Sequence, residues 1–223
     1  MAIEPNIVQV AAAVGDATRA CMLTALMSGQ ALTATELADV AGVTRQTASV
    51  HLAKLLEAGL LRQVAQGRHR YFQLAGIEVG QLIESIMGLA NQTRRSSLGT
   101  RNPALRKARV CYDHLAGDLG VLVFDGLLTH HALQFNDEQL SLGVNGMAFF
   151  QTIGIDIQTL KTNRPTCLAC LDWSARRPHL AGALGAAFLS HCLALNWCQK
   201  DTDSRILHFS TDGEKKLREM LSF

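Results

Sequence analysis

Glycines at positions 42, 59 and 67 cut residues 33–74 into pieces of definite character, and no other stretch restricts the fold of this 223-residue chain as tightly. Thr33 or Thr35 can cap a short helix near 36–40, stopped at Gly42, and Thr33 with Glu36 has capping-box spacing. Thr44 is the expected N-cap of a longer helix over 44–58, in which Ala48, Leu52, Leu55 and Leu56 form one apolar stripe before Gly59 ends it. Residues 60–65 and 70–74 then read as short strands around the turn Gln66-Gly67-Arg68-His69, a β-hairpin. Upstream, Ile7, Val10, Ala11 and Val14 share one helical face, and Asp16 is placed to cap a second helix running to Met27.

Two helices joined by a glycine turn and followed by a hairpin have the order of a winged helix-turn-helix. Charge supports that reading locally. The chain as a whole carries only +2, too little to indicate nucleic-acid binding in bulk, yet residues 44–71 hold five basic side chains against the single acid Glu57. On the longer helix Thr44, Arg45, Gln46, Thr47, Ser49, His51 and Lys54 are the candidates for double-stranded DNA contact. At the hairpin the candidates are Arg68, His69, Arg70 and Tyr71. Short polar side chains suit base edges, and arginines at a hairpin tip suit phosphates or a minor groove.

The segments Gly15-Asp16-Ala17-Thr18-Arg19, Thr35-Glu36-Leu37-Ala38, 47–61 and Gly67-Arg68-His69-Arg70-Tyr71 occur in an order and spacing that resembles the ArsR/SmtB family of bacterial regulators, over roughly residues 6–90. The resemblance implies a homodimer that binds a palindromic operator as a repressor and releases it when an inducer binds. It also implies that the helix carrying Val79, Leu82, Ile83, Ile86 and Ala90 pairs with the first helix to build the dimer interface. Metal-sensing members often carry cysteines before the recognition helix. Here that stretch is Glu36-Leu37-Ala38-Asp39-Val40, without cysteine, and the helix after the hairpin has no histidine. Cys21 stands alone and reads as a small core residue.

The expected fold class is mainly α (α+β): a DNA-binding and dimerisation domain over 1–98, a polar linker, and a mostly helical sensing domain over 103–223. The second part repeats itself. His114-Leu115-Ala116-Gly117-Asp118-Leu119-Gly120 recurs as His179-Leu180-Ala181-Gly182-Ala183-Leu184-Gly185, so two units over about 105–155 and 170–222 are expected, each with this motif on a helix. For a metal, Cys167 and Cys170 form a CxxC pair that Cys111 and His114 could complete, and the same pair could cycle as a disulfide. For a small organic effector, Trp173, Arg176, Arg177, His179 and Trp197 are the candidates. The cofactor is left open between a metal ion and none. Phosphate-loop, serine-elbow and metalloprotease motifs are absent, which argues against an enzyme, although a Cys/His nucleophile fused to a winged helix stays as the lesser alternative. No run of 18 apolar residues predicts a membrane span, and no signal peptide is evident, so a cytoplasmic protein with reduced cysteines is expected.

Overall fold

Helix α1 (Ile7–Val14) leads into α2 (Ala17–Leu26), whose N-cap is Asp16, accepting from the Arg19 backbone N–H. The computed structural model describes residues 7–67, 69–93, 102–160 and 164–222. After β1 (Leu32–Thr33), α3 (Ala34–Ala41) begins in the expected capping box: Thr33 Oγ1 accepts from the Glu36 N–H, and the Glu36 carboxylate accepts from the Thr33 N–H at 2.7 Å. Gly42 closes α3 with φ +64°, a left-handed conformation that an L side chain resists. Thr44 caps α4 (Arg45–Glu57). The hairpin strands are β2 (Leu61–Gln66) and β3 (His69–Leu74), paired from Leu61↔Leu74 to Gln66↔His69, and β1 adds to the free edge of β3. Met22, Leu23, Leu37, Ala48 and Leu55 are fully buried beneath these elements, which form the expected winged helix-turn-helix.

Helix α5 (Ile77–Thr93) follows, and the chain divides into two compact units inside it, after Ile83. The division falls earlier than a linker near residue 98 would place it. The second half of α5 is held by the C-terminal unit, where Arg205 reaches Glu84 at 3.0 Å and the Met87 sulfur at 3.6 Å.

The C-terminal unit begins with α6 (Pro103–Lys107) and then runs hairpin, helix, hairpin, helix. The first pass is β4 (Arg109–Cys111), β5 (His114–Ala116), α7 (Asp118–Thr129), β6 (Leu133–Asn136), β7 (Gln139–Leu142) and α8 (Gly146–Thr152). After a 3-10 turn at Ile157–Thr159, the same order returns as β8 (Leu168–Leu171), β9 (Pro178–Ala181), α9 (Gly182–Ala194), β10 (Cys198–Lys200), β11 (Leu207–Phe209) and α10 (Thr211–Met220). Each hairpin is its own two-stranded sheet. The unit is therefore α+β, with four hairpins alongside its helices, and its core gathers Val110, Leu119, Phe124, Phe150, Leu184, Phe188 and Leu217.

One expectation is corrected. The HLAGxLG motif does not lie wholly on a helix: His-Leu-Ala forms strand β5 or β9, and the helix starts after the first glycine in one copy and at it in the other. Gly117 (φ +87°) and Gly182 (φ +81°) make the strand-to-helix corner, and a Cβ there would lie 2.6 Å from the Arg106 carbonyl oxygen or 2.7 Å from that of Pro165. The motif's second glycines make room for the opposite copy. A Cβ on Gly120 would sit 3.5 Å from the His179 Cβ, and one on Gly185 would sit 3.2 Å from the His114 Cβ. So each copy's helix start packs on the other copy's histidine.

Gly120→Ala tests this packing. Alanine favours a helix by up to about 1 kcal/mol over glycine. Its Cβ would, however, lie 2.6 Å from the Leu115 carbonyl oxygen, a backbone atom that cannot swing away. Overpacking of about 1–3 kcal/mol should win, lowering the denaturation midpoint; an unchanged or raised midpoint would refute the tight approach.

Candidate functional site

The N-terminal unit offers a groove between α4 and the hairpin. About 940 Å³ is lined by Arg45, Ser49, Gln63, His69, Arg70 and Tyr71 among others. Thr44, Arg45, Gln46, Thr47 and Ser49 are all exposed on the first turns of α4, as is Lys54 further along. Two of these are engaged locally: Thr44 Oγ1 accepts from the Thr47 N–H, and Ser49 Oγ donates to the Arg45 carbonyl. His69 and Arg70 are exposed at the start of β3, and Tyr71 is half-buried. Arg68 lies outside the described residues.

His51 is placed differently from its neighbours. Its Nδ1 faces back to α2, 3.3 Å from Arg19 Nη1 and 3.5 Å from Asp16 Oδ1. Arg19 is itself buried and donates to the carbonyls of Ala12 and Ala13 at 2.7 Å, tying the end of α1 to α2. The Gly-Asp-Ala-Thr-Arg segment and His51 thus orient α4 from behind.

In the C-terminal unit a buried ion pair organises the chain around Asp172. Its carboxylate accepts five hydrogen bonds: from Arg109 Nη2 (2.8 Å), the Gly117 N–H (2.7 Å), the Ser174 N–H and hydroxyl, and the Ala175 N–H. Burial alone would raise its pKa. Arg109 and these donors outweigh that and hold the carboxyl well below the usual range. Arg109 has no exposed surface and lies over the Trp173 ring, 4.6 Å from its centroid.

Against this pair lies a cluster of four buried donors: Cys111, His114, Cys170 and His179, whose ligand atoms all fall within 4.8 Å of one another. Hairpin pairing explains it. Cys111 is the cross-strand partner of His114 in β4–β5, and Cys170 is that of His179 in β8–β9. His114 Nε2 and His179 Nε2 are 3.1 Å apart. Burial pushes the Cys111 thiol well up and holds His179 well below an ordinary imidazole.

Three of the four sequence-nominated metal residues therefore converge, joined by His179 from the effector candidates. Cys167 does not join them. It lies in a bend before β8 and packs in the apolar core. Cys111, His114 and Asp118 likewise do not share a helical face, since the first two stand on a hairpin. The other effector candidates scatter. Trp173 covers Arg109, Arg176 sits at a turn with φ +56°, and Arg177 pairs with Asp125 at 2.7 Å. Trp197 lines a separate, largely apolar groove of about 550 Å³ with Phe149, Ile153, His191, Lys216 and Met220.

A helix-turn-helix domain family matches residues 14–64. An uncharacterized HTH-type transcriptional regulator of Bacillus subtilis (strain 168), YdfF, is 36% identical over 215 residues, covering 95% of each chain. Among solved structures, the homodimeric winged helix-turn-helix DNA-binding domain of Mb0332 from Mycobacterium bovis, a possible ArsR-family regulator, is 23% identical with a TM-score of 0.37, covering 42% of this chain and 93% of that one. HlyU from Vibrio cholerae is 26% identical with a TM-score of 0.36, covering 39% and 97%.

Asp172→Asn should destabilise the C-terminal unit by up to about 3–5 kcal/mol, because it removes the nearer of the two carboxylates facing the buried Arg109 charge and leaves only Glu84, at 3.8 Å. Both tryptophans of the chain, Trp173 and Trp197, lie in that unit, so their fluorescence follows its urea unfolding. A loss below about 1 kcal/mol would show that the pair is dispensable.

Proposed function

This chain belongs to the helix-turn-helix transcriptional regulators, and we propose that it acts as a homodimeric repressor of the ArsR type, released from its operator by a signal received in the C-terminal unit. The relatives are regulators rather than enzymes. Among the described residues no helix is long and apolar enough to cross a membrane.

The observation that carries the DNA reading is the groove in which the exposed start of α4 and the start of β3 present Arg45, Ser49, His69 and Arg70 together. A helix of this kind enters the major groove by its N-terminal residues, while the hairpin follows the phosphates or the minor groove. His51 serves as a positioning residue here, since it faces Asp16 and Arg19.

A palindromic operator needs a two-fold protein. Helix α1 exposes Ile7 and Val8, and α5 exposes Leu82, Ile86 and Leu89. Apolar side chains left open in such numbers on these helices suit burial against a second copy. The residues from 103 onward make the receiving half. Its doubled hairpin-helix order and its reciprocal HLAGxLG packing suit an origin by duplication. The largely apolar groove at Trp197 suits an apolar effector, since Lys216 at its edge is already paired with Asp212 at 2.7 Å. The alternative, a metal or thiol response through Cys167 and Cys170, has support from Cys170 alone, because Cys167 packs in the core.

Arg45→Ala should weaken operator binding by about 1–3 kcal/mol, as expected for a lost base-directed contact. Arg70→Ala should weaken binding to all sequences alike and lower the salt slope by about one ion. Fluorescence anisotropy at several salt concentrations reads both, and changes of no more than twofold in the two variants would sink the assignment of this face. Leu89→Glu should shift the protein toward monomer in sedimentation velocity while preserving its helical signal; an unchanged dimer would remove α5 from the interface.

A further inference from the structure

The geometry points to one zinc-class divalent cation held by Cys111, His114, Cys170 and His179 in a closed site that ties hairpin β4–β5 to hairpin β8–β9. This inference stands on the C-terminal unit alone and is independent of how the chain meets DNA.

The donor set decides the class of ion. Two thiols and two imidazoles suit zinc and its relatives, whereas calcium and magnesium require oxygen ligands. Its size also fits. Zinc–nitrogen bonds of about 2.0–2.1 Å on tetrahedral directions put two imidazole nitrogens about 3.3 Å apart. The two Nε2 atoms stand 3.1 Å apart, and all four ligand atoms lie within 4.8 Å of one another. Small inward movements would complete the tetrahedron.

The orientation of the rings argues against an ordinary packing cluster. Both histidines present the same nitrogen, Nε2, to the shared centre, and both have a carboxylate behind the other nitrogen. His114 Nδ1 lies 3.2 Å from Asp113 Oδ1, and Asp113 is in turn held by Arg164. His179 Nδ1 lies 3.8 Å from Asp172 Oδ2 and, among the described residues, has no hydrogen-bond partner at shorter range. Ligation through Nε2 fixes Nδ1 as the donor and draws it toward its carboxylate, the arrangement found behind metal-bound histidines. At 3.1 Å the two Nε2 atoms share one proton in a hydrogen bond when no metal is bound, and both turn their lone pairs to the same centre when one is.

All four side chains are buried, and each hairpin supplies one cysteine and one histidine. Four protein ligands leave no open coordination position, so the ion would be a structural clasp rather than a catalytic centre. It would join strands about 60 residues apart in sequence at the place where Gly120 and Gly185 let the two motif copies approach.

The test is elemental analysis of the full chain purified under reducing conditions, followed by replacement of the bound metal with Co²⁺. The inference requires about one zinc per chain and, with cobalt, the visible absorption of a tetrahedral site together with a thiolate charge-transfer band. Cys170→Ser and His179→Gln should abolish or shift these bands. Cys167→Ser should leave them unchanged, and it serves as the informative variant if the ligand variants fail to fold. Asp113→Asn should keep the site but weaken zinc in chelator competition by about 10–100-fold. Metal content near zero with no cobalt bands, a Cys111–Cys170 disulfide in the reduced preparation, or bands lost in Cys167→Ser would each overturn the inference.

Discussion

A guanidinium with no exposed surface is the constraint around which the C-terminal unit is arranged. Arg109 cannot lose its charge, and an unpaired charge in that interior would cost several kcal/mol. Asp172 answers it from the other half of the unit, and in doing so also binds the Gly117 N–H at the corner where β5 turns into α7. One carboxylate thereby fixes the distance between the first pair of strands and the second. The four cysteines and histidines converge beside it, where His179 is already within 3.8 Å of the same carboxylate. Trp173, a plausible ligand wall from sequence, is occupied as the lid on this guanidinium.

How much of this was legible in the sequence differs between the two units, for a physical reason. In the N-terminal unit the controlling interactions are local. Asp16, Thr33 and Thr44 cap helices three residues away, Gly42 and Gly67 take positive φ, and the Leu52–Leu55 stripe has the helical period. Such signals can be seen in a window of a few residues. The role of His51 could not, because it depends on Asp16 and Arg19 more than thirty positions away.

The C-terminal unit turns on partners 50–65 residues apart. Alanine and leucine favour a helix by composition, so His114-Leu115-Ala116 read as helical; pairing with Arg109-Val110-Cys111 overrides that propensity. The repeat did point to His114 and His179 as equivalents. Their matching cysteines were hidden because the hairpin loops differ: two residues separate Cys111 from His114, and eight separate Cys170 from His179. The CxxC spacing drew attention to Cys167 instead, although that residue sits in the bend before β8 and packs in the apolar core. A pairing of the two HLAGxLG copies, each with the nearest upstream cysteine, was the signal available.

On the function proposed above, an effector bound in the C-terminal unit would act by changing the spacing of the operator-binding faces of two copies. We propose that this chain reads DNA as a two-fold pair through α4 and its hairpin. Footprinting on the bound operator, combined with sedimentation of the complex, tests it most directly. Two chains per duplex should protect two inverted half-sites about 10–10.5 base pairs apart, or a whole number of turns apart. One chain per duplex, or a footprint without two-fold symmetry, would contradict it.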